Sequence, residues 1–169
     1  NTLTQQVLEG AAEAGAETKT FLLNEMNYRG CQGCNYCKTH EKCKLEDDLV
    51  ELFDELAKAD GVVFGSPIYF AQFTGQMRLF LDRCYSLANA DFSSRIPAGK
   101  KAIIIGSQGM PDPAAFAKVY EEFEGEISHF MGIEVKETLI AAGCAAPGDV
   151  KANVELMKKA KNAGRNLLK

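Results

Sequence analysis

The chain has no long uninterrupted apolar run, so no segment is suited to crossing a bilayer. No basic stretch followed by an apolar centre marks a secretory signal. The expected compartment is therefore the cytoplasm, where thiols stay reduced. There is no basic block either: 19 Lys and Arg stand against 23 Asp and Glu, a net charge of −4. Duplex binding needs a Lys/Arg footprint, which argues against a nucleic-acid partner. Histidine is scarce, with only His40 and His129. No Ser/His/Asp or paired-carboxylate arrangement stands out for hydrolytic work. Repeats, low-complexity tracts and evident linkers are also missing. At 169 residues the expectation is one domain over 1–169, able to bury about two-thirds of its unfolded surface without disulfides.

What the chain does have is clustered sulfur. Cys31-Gln-Gly-Cys34-Asn-Tyr-Cys37-Lys-Thr-His-Glu-Lys-Cys43 places four thiols in a polar loop at about 30–44, spaced C-x2-C-x2-C-x5-C. Cys84 and Cys144 lie elsewhere, the first on an apolar helix face. Four readings of the loop are open. A [4Fe–4S] cluster needs four thiolates from a pliable loop, and Gly30 and Gly33 supply pliability. The spacing is close to the bacterial ferredoxin run, but has five residues before the last cysteine and no proline after it. Tetrahedral zinc uses similar ligands, usually as two more widely separated C-x2-C pairs. Redox-active C-x-x-C thiols are the third reading, and reduced thiols without a role the fourth.

The rest alternates helices with short buried strands. Leu3, Val7, Leu8, Ala11 and Ala14 recur at helical spacing before Gly15. Thr18–Leu23 reads as a strand. Glu46, Asp47 and Asp48 suit the positive end of a helix whose stripe is Leu49, Leu52, Phe53 and Leu56. Val62–Gly65 and Ala102–Gly106 are continuous apolar strands. The helix between them buries Met77, Phe80, Leu81, Cys84 and Leu87. A fourth helix starts at Asp112-Pro113 and carries Phe116 to Phe130. An edge strand follows over Ile133–Ala141, interrupted by Lys136 and Glu137, and a last helix begins near Val150. Gly15, Gly61 and Gly132 stand at helix-to-strand junctions, where a left-handed cap favours glycine. Arg83 reads as a solvated charge, and Arg78 as a partner for Asp82. This grammar predicts an α/β, doubly wound parallel sheet covered on both faces. Ligands bind such sheets beyond the carboxyl ends of the strands. That places the cysteine loop, Ser66–Phe73 and Ser107–Pro113 at the expected site.

Four segments carry a resemblance. Asn1-Thr2 before a helix resembles the end of the Ser-x-Arg-x-x-Ser-Asn-Thr phosphate loop of the NADPH-dependent FMN reductase family. Asp60-Gly-Val-Val-Phe-Gly-Ser-Pro-Ile-Tyr-Phe70 is similar to that family's third strand and flavin loop, and Gly75–Arg83 to the helix after it. Cys31–Cys43 resembles the compact motif of the iron–sulfur flavoproteins, a branch of the same flavodoxin-like superfamily. The resemblance implies strand order 2-1-3-4-5, with a first strand and most of the phosphate loop expected before Asn1. Without that strand its neighbours would stand about 9–10 Å apart.

The resemblance further implies FMN and electron transfer, with the flavin carrying the chemistry. The contacts it implies are Asn1 and Thr2 for phosphate, Ser66, Pro67, Ile68, Tyr69 and Phe70 for the ring, and Ser107, Gln108 and Gly109 beside it. It implies a cluster on Cys31, Cys34, Cys37 and Cys43, NAD(P)H or ferredoxin as electron partner, and a homodimer or homotetramer. A cluster-free NAD(P)H-dependent FMN or quinone reductase and a zinc-stabilised, non-catalytic binding module are the alternatives. The residues support the flavin loop on their own. Gly65-Ser66-Pro67 makes a tight strand exit, Tyr69 and Phe70 offer ring contacts, and a helix N-terminus favours an anion.

Overall fold

The computed structural model describes residues 2–169; the phosphate contact expected at Asn1 lies outside them. Helix α1 (Thr2–Glu13) buries Leu3, Val7 and Gly10 along one stripe. Helix α2 (Leu49–Lys58) follows the cysteine loop, and strand β1 (Gly61–Tyr69) follows α2. A two-residue turn connects β1 to β2 (Gln72–Phe73), which leads into α3 (Gly75–Cys84). Strand β3 (Lys101–Ser107), helix α4 (Ala117–Gly125), strand β4 (Glu134–Ala141) and helix α5 (Val154–Asn166) complete the chain. The sheet order is β2-β1-β3-β4, with β1, β3 and β4 parallel and β2 antiparallel to β1.

The continuous apolar strands follow from burial on both faces. Along β3, Ala102 and Ile104 enter a core built with α2, α3 and α4, while Ile103 and Ile105 enter a second core with α1 and α5. Strand β4 lies at the sheet edge, and the register jumps from Ala102↔Val135 to Ile103↔Glu137, so Lys136 is the extra residue of a bulge. The charged pair that interrupts the apolar pattern thus marks the irregularity.

The two helices of the second core approach to backbone contact. A Cβ on Gly10 would fall 1.9 Å from the Lys161 carbonyl oxygen, and one on Gly164 1.9 Å from that of Val7. Only glycine permits this crossing. Glu13 fastens it through ion pairs to Lys161 and Arg165.

Several expectations are corrected. Thr18–Leu23 forms no strand, because strand geometry needs a ladder and this segment has no ladder partner among the described residues. Phe21 and Leu23 still pack on the first core. Gly61 is not a left-handed cap, unlike Gly15 and Gly132, with φ of 94° and 71°. It opens β1 beneath Leu167, whose Cδ2 would lie 2.8 Å from an added Cβ, so the constraint there is space. The helix containing Phe130 ends in a π-helical turn, Glu126–Phe130.

Candidate functional site

Strand β1 runs four residues past its expected end. Pro67 does not stop it, since its partner in the parallel ladder is Ser107 and it stands near the strand's end. Ile68 pairs with Phe73 and Tyr69 with Gln72. The residues between, Phe70 and Ala71, have φ of 50° and 59°. Tight hairpins favour such primed turns, but usually with Asn and Gly, because each ordinary side chain in this region costs roughly 1–2 kcal/mol. A hydroxyl chain over-determines the geometry. Ser66 Oγ lies 3.2 Å from Thr74 Oγ1 and accepts from the Thr74 amide at 3.3 Å, and Thr74 Oγ1 accepts from the Met77 amide at 3.3 Å, capping α3. Ser66 and Ile68 are buried by this construction, while Tyr69 is 66% exposed and Phe70 is fully exposed. A strained turn that presents two aromatics to solvent is a functional signature.

The neighbouring elements converge on it. Position Pro67 is level with Ser107 on β3, and Ser107 with Ala141 on β4. A Cβ on Gly65 would meet Thr4 Oγ1 at 2.8 Å, so the first turn of α1, beginning at half-buried Thr2, lies against the strand exit. The amino end of that helix favours an anion. Thr2, Ser66–Phe70 and Ser107–Gly109 therefore share one end of the sheet.

Gln108 braces its own loop. It is 2% exposed, and its Nε2 donates to the Asp112 and Met110 carbonyls at 2.7 and 3.3 Å. Its Oε1 accepts from the Tyr120 hydroxyl at 3.0 Å. Burial pushes the Tyr120 phenol up to about 12, so it stays a donor at neutral pH. Gln108 fixes the loop from beneath, leaving Ser107 and exposed Gly109 as the parts that face outward.

The cysteine loop docks on α3 and on the segment after it. Its neck is closed by the Asp48 carboxylate, which accepts from the Asn27 amide at 2.6 Å, and by Asp47, which accepts from the Arg29 amide at 3.3 Å. Asp47 also grips Arg83 with both oxygens, at 2.6 and 3.1 Å. Arg83 is 2% exposed, the opposite of a solvated charge, and donates again to the Arg29 carbonyl at 2.8 Å. Arg78 pairs with Glu126 at 3.1 Å rather than with Asp82. Burial pushes the Asp47 carboxyl up, but Arg83 and the Arg29 and Leu49 amides outweigh it and hold it below the usual value. Burial likewise opposes the Arg83 charge, and Asp47 together with the adjacent Cys43 sulfur overcomes it.

Within the loop, Gly33 and Asn35 take left-handed φ of 63° and 54°. Cys31 and Cys34 are exposed, Cys37 is buried and Cys43 half-buried. Lys38 Nζ reaches the Tyr85 and Ala88 carbonyls at 2.9 and 2.8 Å and sits 3.7 Å above the Tyr85 ring. Arg95 holds the Cys37 carbonyl at 2.7 Å. His40 is stacked on Tyr36, and His129 contacts the Gly125 carbonyl. Cys84 is core, its thiol pushed far up by burial. Among the described residues, no three His, Cys, Asp or Glu groups converge as ligands of one ion.

Arg83, Asp47 and Thr74 are the site residues that sequence reasoning missed. Only the acidic run at Glu46–Asp48 hinted at one of them, and nothing local marked its partner 36 residues away.

The sheet order, its two-sided cover and the strand-end loops define a flavodoxin-like α/β protein. An NAD(P)H:quinone oxidoreductase from Methanothermobacter marburgensis has this fold, with a TM-score of 0.71 at 23% identity, over 98% of this chain and 87% of that one. The family described as NADPH-dependent FMN reductase matches residues 1–118. The chain belongs to that family and is a flavin-dependent oxidoreductase. An iron–sulfur flavoprotein of Methanocaldococcus jannaschii is 27% identical over 175 residues, 98% of this chain and 86% of the relative. Another, from Methanosarcina thermophila, is 26% identical over 133 residues, 75% of this chain and 70% of the relative. Among the described residues no helix is long and apolar enough to cross a membrane.

Proposed function

We propose that this oxidoreductase holds FMN at the strand-end site and a [4Fe–4S] cluster on Cys31, Cys34, Cys37 and Cys43, and relays electrons between NAD(P)H and a one-electron partner such as ferredoxin. The observation that carries it is a four-thiol loop fastened to the helix that leaves the aromatic hairpin. Bound FMN exchanges electron pairs with nicotinamide and single electrons with a one-electron centre.

The chain's own residues supply position. The amino end of α1, from Thr2, faces the phosphate, Phe70 and Tyr69 lie against the ring, and Ser66 with Thr74 keeps the hairpin rigid. Ser107 and Gly109 border the ring on the β3 side, with Gln108 bracing them. The soft donor set suits iron, and Gly33 and Asn35 let the backbone wrap a cube. The iron–sulfur flavoprotein relatives support this reading. The partner class and a homodimer or homotetramer belong to the same proposal.

One observation favours a cluster-free NAD(P)H-dependent FMN or quinone reductase: Cys37 is buried while Cys31 and Cys34 face solvent. Anaerobic purification separates the two. The first predicts yellow protein with about four irons and four sulfides per chain. Cys34→Ser then loses iron, keeps FMN and, with both proteins compared iron-free, changes stability by less than about 0.5 kcal/mol because Cys34 is exposed. Flavin with rapid NAD(P)H oxidation and no iron decides for the second.

A further inference from the structure

A buried arginine in a chain this size needs a reason. Arg83 is 2% exposed and spends two nitrogens on Asp47 and the Arg29 carbonyl. Its Nε is buried with no hydrogen-bond partner in the protein. An unmatched donor on a buried cation is costly and implies a task. Arg29 and Asp47 are the two ends of the cysteine loop, and both are held by this one guanidinium. Cys31 comes two residues after Arg29 and Cys43 four before Asp47, so this guanidinium stands at the root of the cysteine loop. Ordinary surface pairing explains none of this, because a Lys or Arg in solvent could close the neck without the burial cost.

We propose that Arg83 is the positioning residue of the cysteine site: it shuts the neck of the loop from inside the core and holds a fixed positive charge at the root of the loop, offsetting the negative charge of a bound cluster. The proposal rests on the cluster reading above. A cluster gains one negative charge on taking up an electron, so a fixed cation beside it favours the reduced form and raises the reduction potential. Closing the neck also slows loss of iron, as partners that orient metal ligands do. Arginine is suited to both tasks, since its planar fork binds the Asp47 carboxylate with two nitrogens and leaves the third edge free.

The test compares wild type, Arg83→Gln and Arg83→Lys as full chains reconstituted anaerobically with ferrous iron and sulfide. The readouts are FMN per chain, iron per chain, the rate of iron loss to a chelator, and the cluster midpoint from an EPR-monitored redox titration. Arg83→Gln is expected to keep FMN, lose iron about 10–100-fold faster and show a lower midpoint. Arg83→Lys restores charge without the fork, so its midpoint returns toward wild type while iron loss stays fast. A wild-type midpoint and release rate in Arg83→Gln overturns the proposal, and so does a midpoint in Arg83→Lys as low as in Arg83→Gln. Should Arg83→Gln fail to fold, Arg83→Lys decides alone: wild-type iron retention overturns the proposal. Wild type that takes up FMN but no iron overturns the cluster reading itself, and this proposal with it.

Discussion

Replacing Phe70-Ala71 by Asn-Gly separates stability from cofactor binding. Both residues sit at positive φ, 50° and 59°. Relief of the side-chain clash at Ala71 is worth roughly 1–2 kcal/mol. Glycine gives back about 0.4–1 kcal/mol through its freer unfolded state. Asparagine tolerates the left-handed region, so position 70 adds some tenths more. No core contact is lost, because Phe70 is fully exposed. The net gain is about 1 kcal/mol, or about 2–4 °C in the melting temperature of a protein this long. The flavin site moves the other way. An aromatic face is worth about 0.5–1.5 kcal/mol against another ring, so FMN should bind about fivefold more weakly. Thermal melts of flavin-free protein and quenching of FMN fluorescence measure the two effects. A flavin-free variant less stable than wild type would show that the turn carries no strain. Unchanged FMN affinity would show that Phe70 does not touch the flavin.

Two predictions concern the opposite loop. Gly106→Ala places a Cβ 2.2 Å from the Tyr120 ring, an overpacking that should cost about 1–3 kcal/mol in urea unfolding and weaken FMN by freeing Gln108. The Tyr120 phenol, pushed up to about 12, should appear as a late phenolate step in absorbance, missing from Tyr120→Phe. Its folded pKa is raised, so the stability it supplies is complete below the ordinary tyrosine range near 10 and is lost as pH climbs through about 12. A Tyr120 titration near 10 would contradict the burial described.

Local pattern made much of this structure legible. The runs around Val62 and Ile104 declare strands covered on both faces, and Leu49, Leu52 and Leu56 declare a helix stripe; Ile104 and the three leucines are buried and Val62 is half-buried. Asp112-Pro113 announces a helical turn, and the Asp112 carboxylate caps it by accepting from the Ala114 amide at 2.9 Å. Tyr69 and Phe70 were expected as ring contacts and are exposed, but the shape of their turn was not legible. Pro67 reads as a breaker, and nothing in Phe-Ala signals a primed turn, because the turn is imposed by Ser66 and Thr74 against local preference. Arg83 was misread for a related reason. It looks like an exposed polar residue until a distant partner, Asp47, gives it cause to be buried. Thr18–Leu23 shows the converse, a segment with strand composition whose state depends on a neighbour.

The seam at Gly10 and Gly164 has a practical side. With their main chains in touch, the opening helix has no independent play. Whatever loosens the tail of the molecule also tilts the end proposed to cradle the phosphate, at the other pole of the sheet. Proteolytic trimming behind Lys161, or a bulky fusion there, should register as release of FMN, read by recovered flavin fluorescence, well before the fold gives way.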